Sequence, residues 1–163
     1  MDFDKFIGID WSGDKNNFQK GISVAECTRE NKSPNIVKPL GGKYWTRSTL
    51  IEWLYTEIKT QRNLIGFDFA FSYPFYDRFC YFPGIKDSPI NSEKLWELIE
   101  NQNKNAKNFY GGEIWENKTY GKFFNSPKIK GSLYSSRRRC TERVAKKNTH
   151  SPSPTFNCVG PGA

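Results

Sequence analysis

The chain has 163 residues, with 36% hydrophobic, 26% charged and 16% aromatic side chains, which excludes a disordered tail and is large enough for one buried core. With 13 Gly and 9 Pro it is no low-complexity or collagen-like polymer. Its net charge of +8, from 25 basic and 17 acidic side chains, favours polyanionic partners such as nucleic acid.

The start, Met1-Asp2-Phe3-Asp4-Lys5, lacks the basic-then-apolar order of a secretory signal, and the apolar runs are too short to span a bilayer. A soluble cytoplasmic protein without a membrane partner is expected. Cys27, Cys80, Cys140 and Cys158 form no CxxC pair, so they read as reduced, mostly buried thiols rather than zinc ligands or a disulfide scaffold. The single histidine, His150, sits in a Ser/Pro-rich stretch. Mechanisms that need two histidines are thereby excluded.

In chain order, Lys5–Asp10 reads as a strand ending in a carboxylate, followed by the turn-rich 11–17. Gly21–Glu26 alternates apolar and polar residues and predicts a hairpin partner. Ile36–Lys38 is a third strand, which Lys43–Trp45 can extend. Thr46 or Ser48 caps a helix to about Thr60, whose stripe is Leu50, Trp53, Leu54 and Ile58.

The run Leu64–Phe71 is apolar except for Asp68 and predicts a central strand covered on both faces. Ser92 caps a second helix, from Glu93 to about Lys104, with Leu95, Trp96, Leu98 and Ile99 inward. Residues 105–136 read as a loop-rich insertion of small elements beside the site. Arg137, Arg138, Arg139 and Arg143 then make a strongly basic segment, and the Ser/Pro-rich end reads as a loop cut in passage. The order strand, strand, strand, helix, strand, helix predicts an antiparallel meander, then a crossover, giving a mixed α/β sheet with flanking helices. The chain is expected to be one domain, 1–163, incomplete on its C-terminal side.

Asp10 and Asp68 interrupt the two most apolar strands. If those strands are neighbours, the carboxylates meet, and charges about 4 Å apart repel by ~4 kcal/mol at an effective dielectric of about 20. Either one carboxylate holds a proton or a divalent cation bridges both. Without His or Cys clusters that cation would be Mg²⁺ or Mn²⁺, the metals of phosphodiester hydrolysis. The competing reading is that each Asp caps a neighbouring turn.

The segments Ile7-Gly8-Ile9-Asp10-Trp11-Ser12-Gly13 and Ile65-Gly66-Phe67-Asp68-Phe69-Ala70-Phe71-Ser72-Tyr73-Pro74 resemble the ribonuclease H-like superfamily. Within it they are similar to an uncharacterised group of bacterial proteins described as predicted RNase H-like nucleases. The resemblance implies a ribonuclease H-like fold in which Asp10 ends the first strand, Asp68 the fourth, and both hold Mg²⁺ or Mn²⁺. In that superfamily a further acid comes from a later helix. The only acidic residue in the last fifth of this chain is Glu142, a catalytic candidate that also suits pairing with Arg139 or Arg143.

Around the pair, Ser12, Ser72 and Tyr73 are candidate substrate contacts. Arg137, Arg138, Arg139 and Arg143 form a candidate phosphate clamp folded over the metal site. Trp45, Tyr73, Phe75, Tyr81, Phe82 and Trp115 are candidates for stacking on unpaired bases. The expected function is metal-dependent hydrolysis of nucleic acid, inactive if the missing acid is essential. Two alternatives stand beside it. One is a non-catalytic nucleic-acid-binding module. The other is a hydrolase or phosphotransferase for a small phosphorylated substrate, since actin-like sugar and acetate kinases also follow the first-strand Asp with Gly-rich turns.

Overall fold

The computed structural model describes residues 2–148 and 154–158. The chain divides into two compact units, Met1–Phe69 with Lys107–Phe109, and Ala70–Ala106 with Tyr110–Ala163.

The first unit is a four-stranded mixed sheet: β1 (Lys5–Asp10), β2 (Ser23–Thr28), β3 (Asn35–Val37) and β4 (Asn63–Phe67), in the order β3-β2-β1-β4. β2 runs antiparallel to β1, with Asp10 opposite Ser23, and β3 runs antiparallel to β2. Helix α1 (Arg47–Thr60) precedes β4, which pairs parallel to β1 with Ile9 beside Phe67. The meander and crossover expected from the sequence therefore form, as an α/β arrangement.

Period-two burial explains why β1 works. Ile7 and Ile9 are buried while Gly8 and Asp10 are exposed, so one face meets the core and the other does not. Ile7, Ile9, Ile22, Val24, Trp45 and Leu50 form that core, with Trp53, Leu54, Ile65 and Phe67 packed on it. Thr46 starts α1 through a reciprocal cap: its hydroxyl accepts from the Thr49 amide, and the Thr49 hydroxyl accepts from the Thr46 amide, both at 3.0 Å. On the helix-facing side, Lys5 Nζ donates to Glu26 at 3.0 Å and Glu57 at 2.8 Å, joining β1, β2 and α1. Burial opposes the Lys5 charge, but the hydrogen bonds to Glu57 and Glu26 outweigh it and raise its pKa.

Three expectations are corrected here. The Leu64–Phe71 run is not a central strand: β4 stops at Phe67, lies at the sheet edge and alternates in burial, leaving Leu64 exposed. An apolar run alone does not separate a doubly covered strand from an edge strand whose outer side chains stay apolar. Trp45 is buried through an isolated bridge to Gln19 rather than by extending β3. Ile58, half exposed, falls off the buried stripe of α1.

The second unit is packed around aromatic rings. α2 (Ser92–Gln102) is capped by Asn91, whose Oδ1 accepts from the Lys94 amide at 2.9 Å, one residue before the expected Ser92. Leu95 is buried; Trp96 is half exposed, its indole N–H donating to the Phe71 carbonyl at 2.7 Å. Residues 105–136 hold only short elements, among them α3 (Glu113–Glu116), yet they supply Ile114, Phe123 and Phe124 to the core. Tyr81, Phe82, Leu95 and Phe156 complete it. α4 (Cys140–Asn148) ends the described helices.

Residues 154–158 bury Phe156, and the Asn125 and Cys158 amides bond across to the Phe156 and Asn125 carbonyls. Cys27, Cys80 and Cys158 are half-buried thiols, whereas Cys140 is exposed. Burial pushes the Cys158 thiol up to about 12.

Leu50, fully buried where α1 meets the sheet, gives a direct test of that packing. Leu50→Ala should lower stability by ~2–5 kcal/mol, read as a shifted midpoint in urea or thermal unfolding.

Candidate functional site

Parallel register carries Asp10 and Asp68 to the same point. Ile9 and Phe67 are paired, and the Asp68 amide donates to the Ile9 carbonyl at 3.2 Å, so the next residue of each strand ends the sheet side by side. The two carboxyl groups share a hydrogen bond. That bond, with some burial and the negative charge of Asp68, raises the Asp10 pKa above its ordinary value. Asp68 Oδ1 also accepts from the Trp11 amide at 2.8 Å, which locks the turn after Asp10.

Both aspartates are exposed. They lie at the ends of their strands, on the sheet face away from α1, where solvent reaches them. Asp68 also caps a turn, the one that follows Asp10: one oxygen serves the Trp11 amide while the carboxyl group still meets Asp10.

The loop after Asp10 is held by two residues that sequence reading passed over. Arg47, buried at the first turn of α1, donates to the carbonyls of Ser12 at 2.8 Å, Asp14 at 2.6 Å and Asn108 at 2.7 Å, and lies over the Trp11 ring at 5.8 Å. Gln19, with no exposed surface, donates to the carbonyls of Asp14 and Asn16. A basic residue just inside a helix cap gives no sign in sequence that it will turn inward. Trp11, Phe67 and Phe69 stack edge-on or tilted beside the pair, at 4.9–6.1 Å between ring centres.

Ser12 belongs to this loop: its hydroxyl accepts from the Asp14 amide at 3.3 Å. The Asn16 amide donates to Asp14 Oδ1 at 3.0 Å, and Asn16 holds the Asp14 carboxyl below its ordinary pKa. The Trp11, Asp14 and Asn16 amides of this turn are all engaged within the first unit.

The remaining site candidates lie in the second unit and mostly hold it together. Ser72 Oγ is 3.2 Å from the Tyr81 hydroxyl. Tyr73 packs on Phe82, Phe124 and Phe156, at 6.2, 5.6 and 4.7 Å between ring centres, and burial raises its phenol pKa strongly. Both are engaged in packing or hydrogen bonding within this unit, and both also border an open cleft of it. Of the proposed stacking residues, Trp45, Tyr81 and Phe82 are also buried in cores.

Arg137 is not a phosphate clamp. It is buried, donates to both Asp77 oxygens at 2.8 Å, and reaches the carbonyls of Pro74, Cys80 and Tyr81 at 2.8, 2.7 and 2.5 Å. Guanidinium geometry suits this cage of planar acceptors as well as it suits phosphate, which is why the sequence did not separate the two.

Glu142 is equally engaged. Its Oε2 accepts from the Arg139 amide at 2.7 Å, and its Oε1 from Arg139 Nε and Nη2 at 3.0 and 2.8 Å. It thus closes the start of α4 and takes the Arg139 pairing foreseen for it. Among the described residues no group of three His, Cys, Asp or Glu side chains comes together, so no third such residue joins Asp10 and Asp68. Arg138 and Arg143, with Arg139, line an open cleft of the second unit. His150 lies outside the described residues. Against protein-family models, curated proteins and solved structures, the chain gives no match.

The acidic pair predicts a stability signature. A carboxyl whose pKa is raised on folding contributes stability that is complete below its unfolded value near 3.8 and is lost as pH rises through the folded value. Asp10→Asn should therefore be more stable than the parent at pH 7, by less than ~1 kcal/mol because the site is solvated. The difference should vanish below pH ~4, as followed by thermal unfolding across pH.

Breaking the buried Arg137–Asp77 pair should do the reverse. Arg137→Met should cost ~3–5 kcal/mol, and Arg137→Lys should not restore it. Asp77 is lowered chiefly by its Arg137 bond, so the parent should also lose this increment as pH falls below about 4.

Proposed function

We propose that the protein is a ribonuclease H-like, metal-dependent phosphodiesterase acting on nucleic acid. One observation carries the reading: two carboxylates meet at the ends of adjacent parallel strands, one of them raised in pKa by the other. Like charges held in contact in an otherwise well-packed unit are costly, and such contacts concentrate where function requires them.

The donor set fits Mg²⁺ or Mn²⁺, which take hard oxygen ligands and commonly use only one or two carboxylates, with water and substrate phosphate completing the shell. Bound there, such a cation would activate water and stabilise the leaving oxygen of a phosphodiester. Asp10 would be a ligand through its ionised carboxylate. Asp68 would keep one oxygen on the Trp11 amide and offer the other. Arg47, through the Ser12 and Asp14 carbonyls, would fix the turn that holds Trp11 in place. The +8 net charge supports a polyanionic substrate.

A second reading, nucleic-acid binding without catalysis, draws on the absence of a third metal-ligating side chain among the described residues. The two separate in one experiment. Labelled single-stranded, duplex and hybrid oligonucleotides are incubated with Mg²⁺, Mn²⁺ or chelator. Cleavage that requires metal and falls at least ~100-fold in both Asp10→Asn and Asp68→Asn supports the enzyme. Equal cleavage by the parent and Asp10→Asn overturns it, and salt-sensitive, metal-independent binding without cleavage selects the second reading.

A further inference from the structure

The second unit carries a cleft of about 680 Å³ that the acidic pair does not use. Its volume is within the range of small-ligand sites. Phe71, Phe75 and Tyr76 furnish one part of its lining, and Phe71 and Tyr76 are 55% and 74% exposed. Arg138, Arg139 and Arg143 furnish another. Large aromatic rings left in water beside guanidinium groups are the two halves of a nucleotide's chemistry, a base face and a phosphate.

The charge balance favours an anion. Arg138, Arg139 and Arg143 line the cleft together with one carboxylate, Asp77, which is bound to Arg137. Ser92 and Thr141, in the first turns of α2 and α4, also line the cleft, so both helices turn their positive ends toward it.

The cleft is built before any ligand arrives. Arg137 binds the Pro74, Cys80 and Tyr81 carbonyls and the Asp77 carboxylate, while its own backbone continues into Arg138 and Arg139. One buried side chain thus couples the segment bearing Phe75 and Tyr76 to the segment bearing the arginines. Phe79, in that same loop, is held at φ 53°, a left-handed backbone that a bulky ring adopts only under constraint. Fixing both walls in advance reduces the ordering lost on binding.

We propose that this cleft binds a single unpaired nucleotide, its base stacked on the Phe71–Tyr76 wall and its phosphate held by Arg143 and Arg138. The site is built from residues other than Asp10 and Asp68 and needs no divalent cation. The ligand chemistry has two sources, a free mononucleotide or one residue of a single strand.

Binding to the full chain is measured in chelator at about 50 mM salt, by calorimetry for adenosine monophosphate, adenosine and inorganic phosphate, and by anisotropy for a labelled ten-residue deoxythymidine strand. The nucleotide should bind at least tenfold more tightly than adenosine or phosphate alone. Tyr76→Ala and Arg143→Ser, both at exposed positions, should each weaken it about tenfold or more while the melting temperature is unchanged. A strand that binds more tightly than the mononucleotide identifies the polymer as source; equal affinities identify the free nucleotide. No binding of either at ~1 mM, or variants that bind like the parent at unchanged melting temperature, overturns the proposal. Because chelator is present throughout, loss of cleavage in Asp10→Asn leaves this result untouched.

Discussion

Parallel pairing of β1 with β4 is the constraint from which the first unit's chemistry follows. Antiparallel neighbours would send the ends of the two strands to opposite edges of the sheet. Here α1 returns the chain so that both strands finish together, β1 in Asp10 and β4 one residue before Asp68. The contact between those carboxyl groups opposes folding slightly at neutral pH, and the surrounding structure holds it in place nonetheless. Asp68 is tethered by the Trp11 amide, and Trp11 itself lies under Arg47.

The second unit solves a different problem with a similar device. Among the described residues it has no sheet, and its core is built largely of rings from segments scattered between Tyr81 and Phe156. Rings supply apolar area but little directional control over loops. The Arg137 guanidinium provides that control, because its five fixed donors can gather several carbonyls and one carboxylate at once. In both units a buried arginine bound mainly to backbone oxygens, Arg47 or Arg137, sets loop geometry.

Much of this was legible in sequence, and the failures have physical causes. The Lys5–Asp10 strand, the hairpin, the Thr46-capped helix and the meeting of Asp10 with Asp68 follow from periodicity, capping chemistry and crossover connectivity, all of which are local or nearly so. The extent of β4 was misjudged because Phe69 and Phe71 are apolar without lying in the sheet. The arginine cluster was only partly legible, since four guanidinium groups close in sequence divide into a buried cage at Arg137, a helix-start pair at Arg139 and the cleft residues Arg138 and Arg143. Charge runs reveal electrostatics; which members turn inward depends on carbonyls sixty residues away. Tyr76 and Phe71 drew no attention as ligand-facing rings, since an aromatic residue in sequence looks the same whether its ring ends in a core or on a surface.

Lys5 has a consequence at the far end of its own strand. Side chains on a strand change faces at every residue, so sliding β1 by one position would turn each of them over. Such a slip would carry the Lys5 ammonium away from Glu26 and Glu57 and swing the terminal aspartate toward α1. The ammonium clamp therefore acts as a proofreader of strand alignment: a chain that has paired its charges at one end of β1 has already delivered a carboxylate to the correct side at the other.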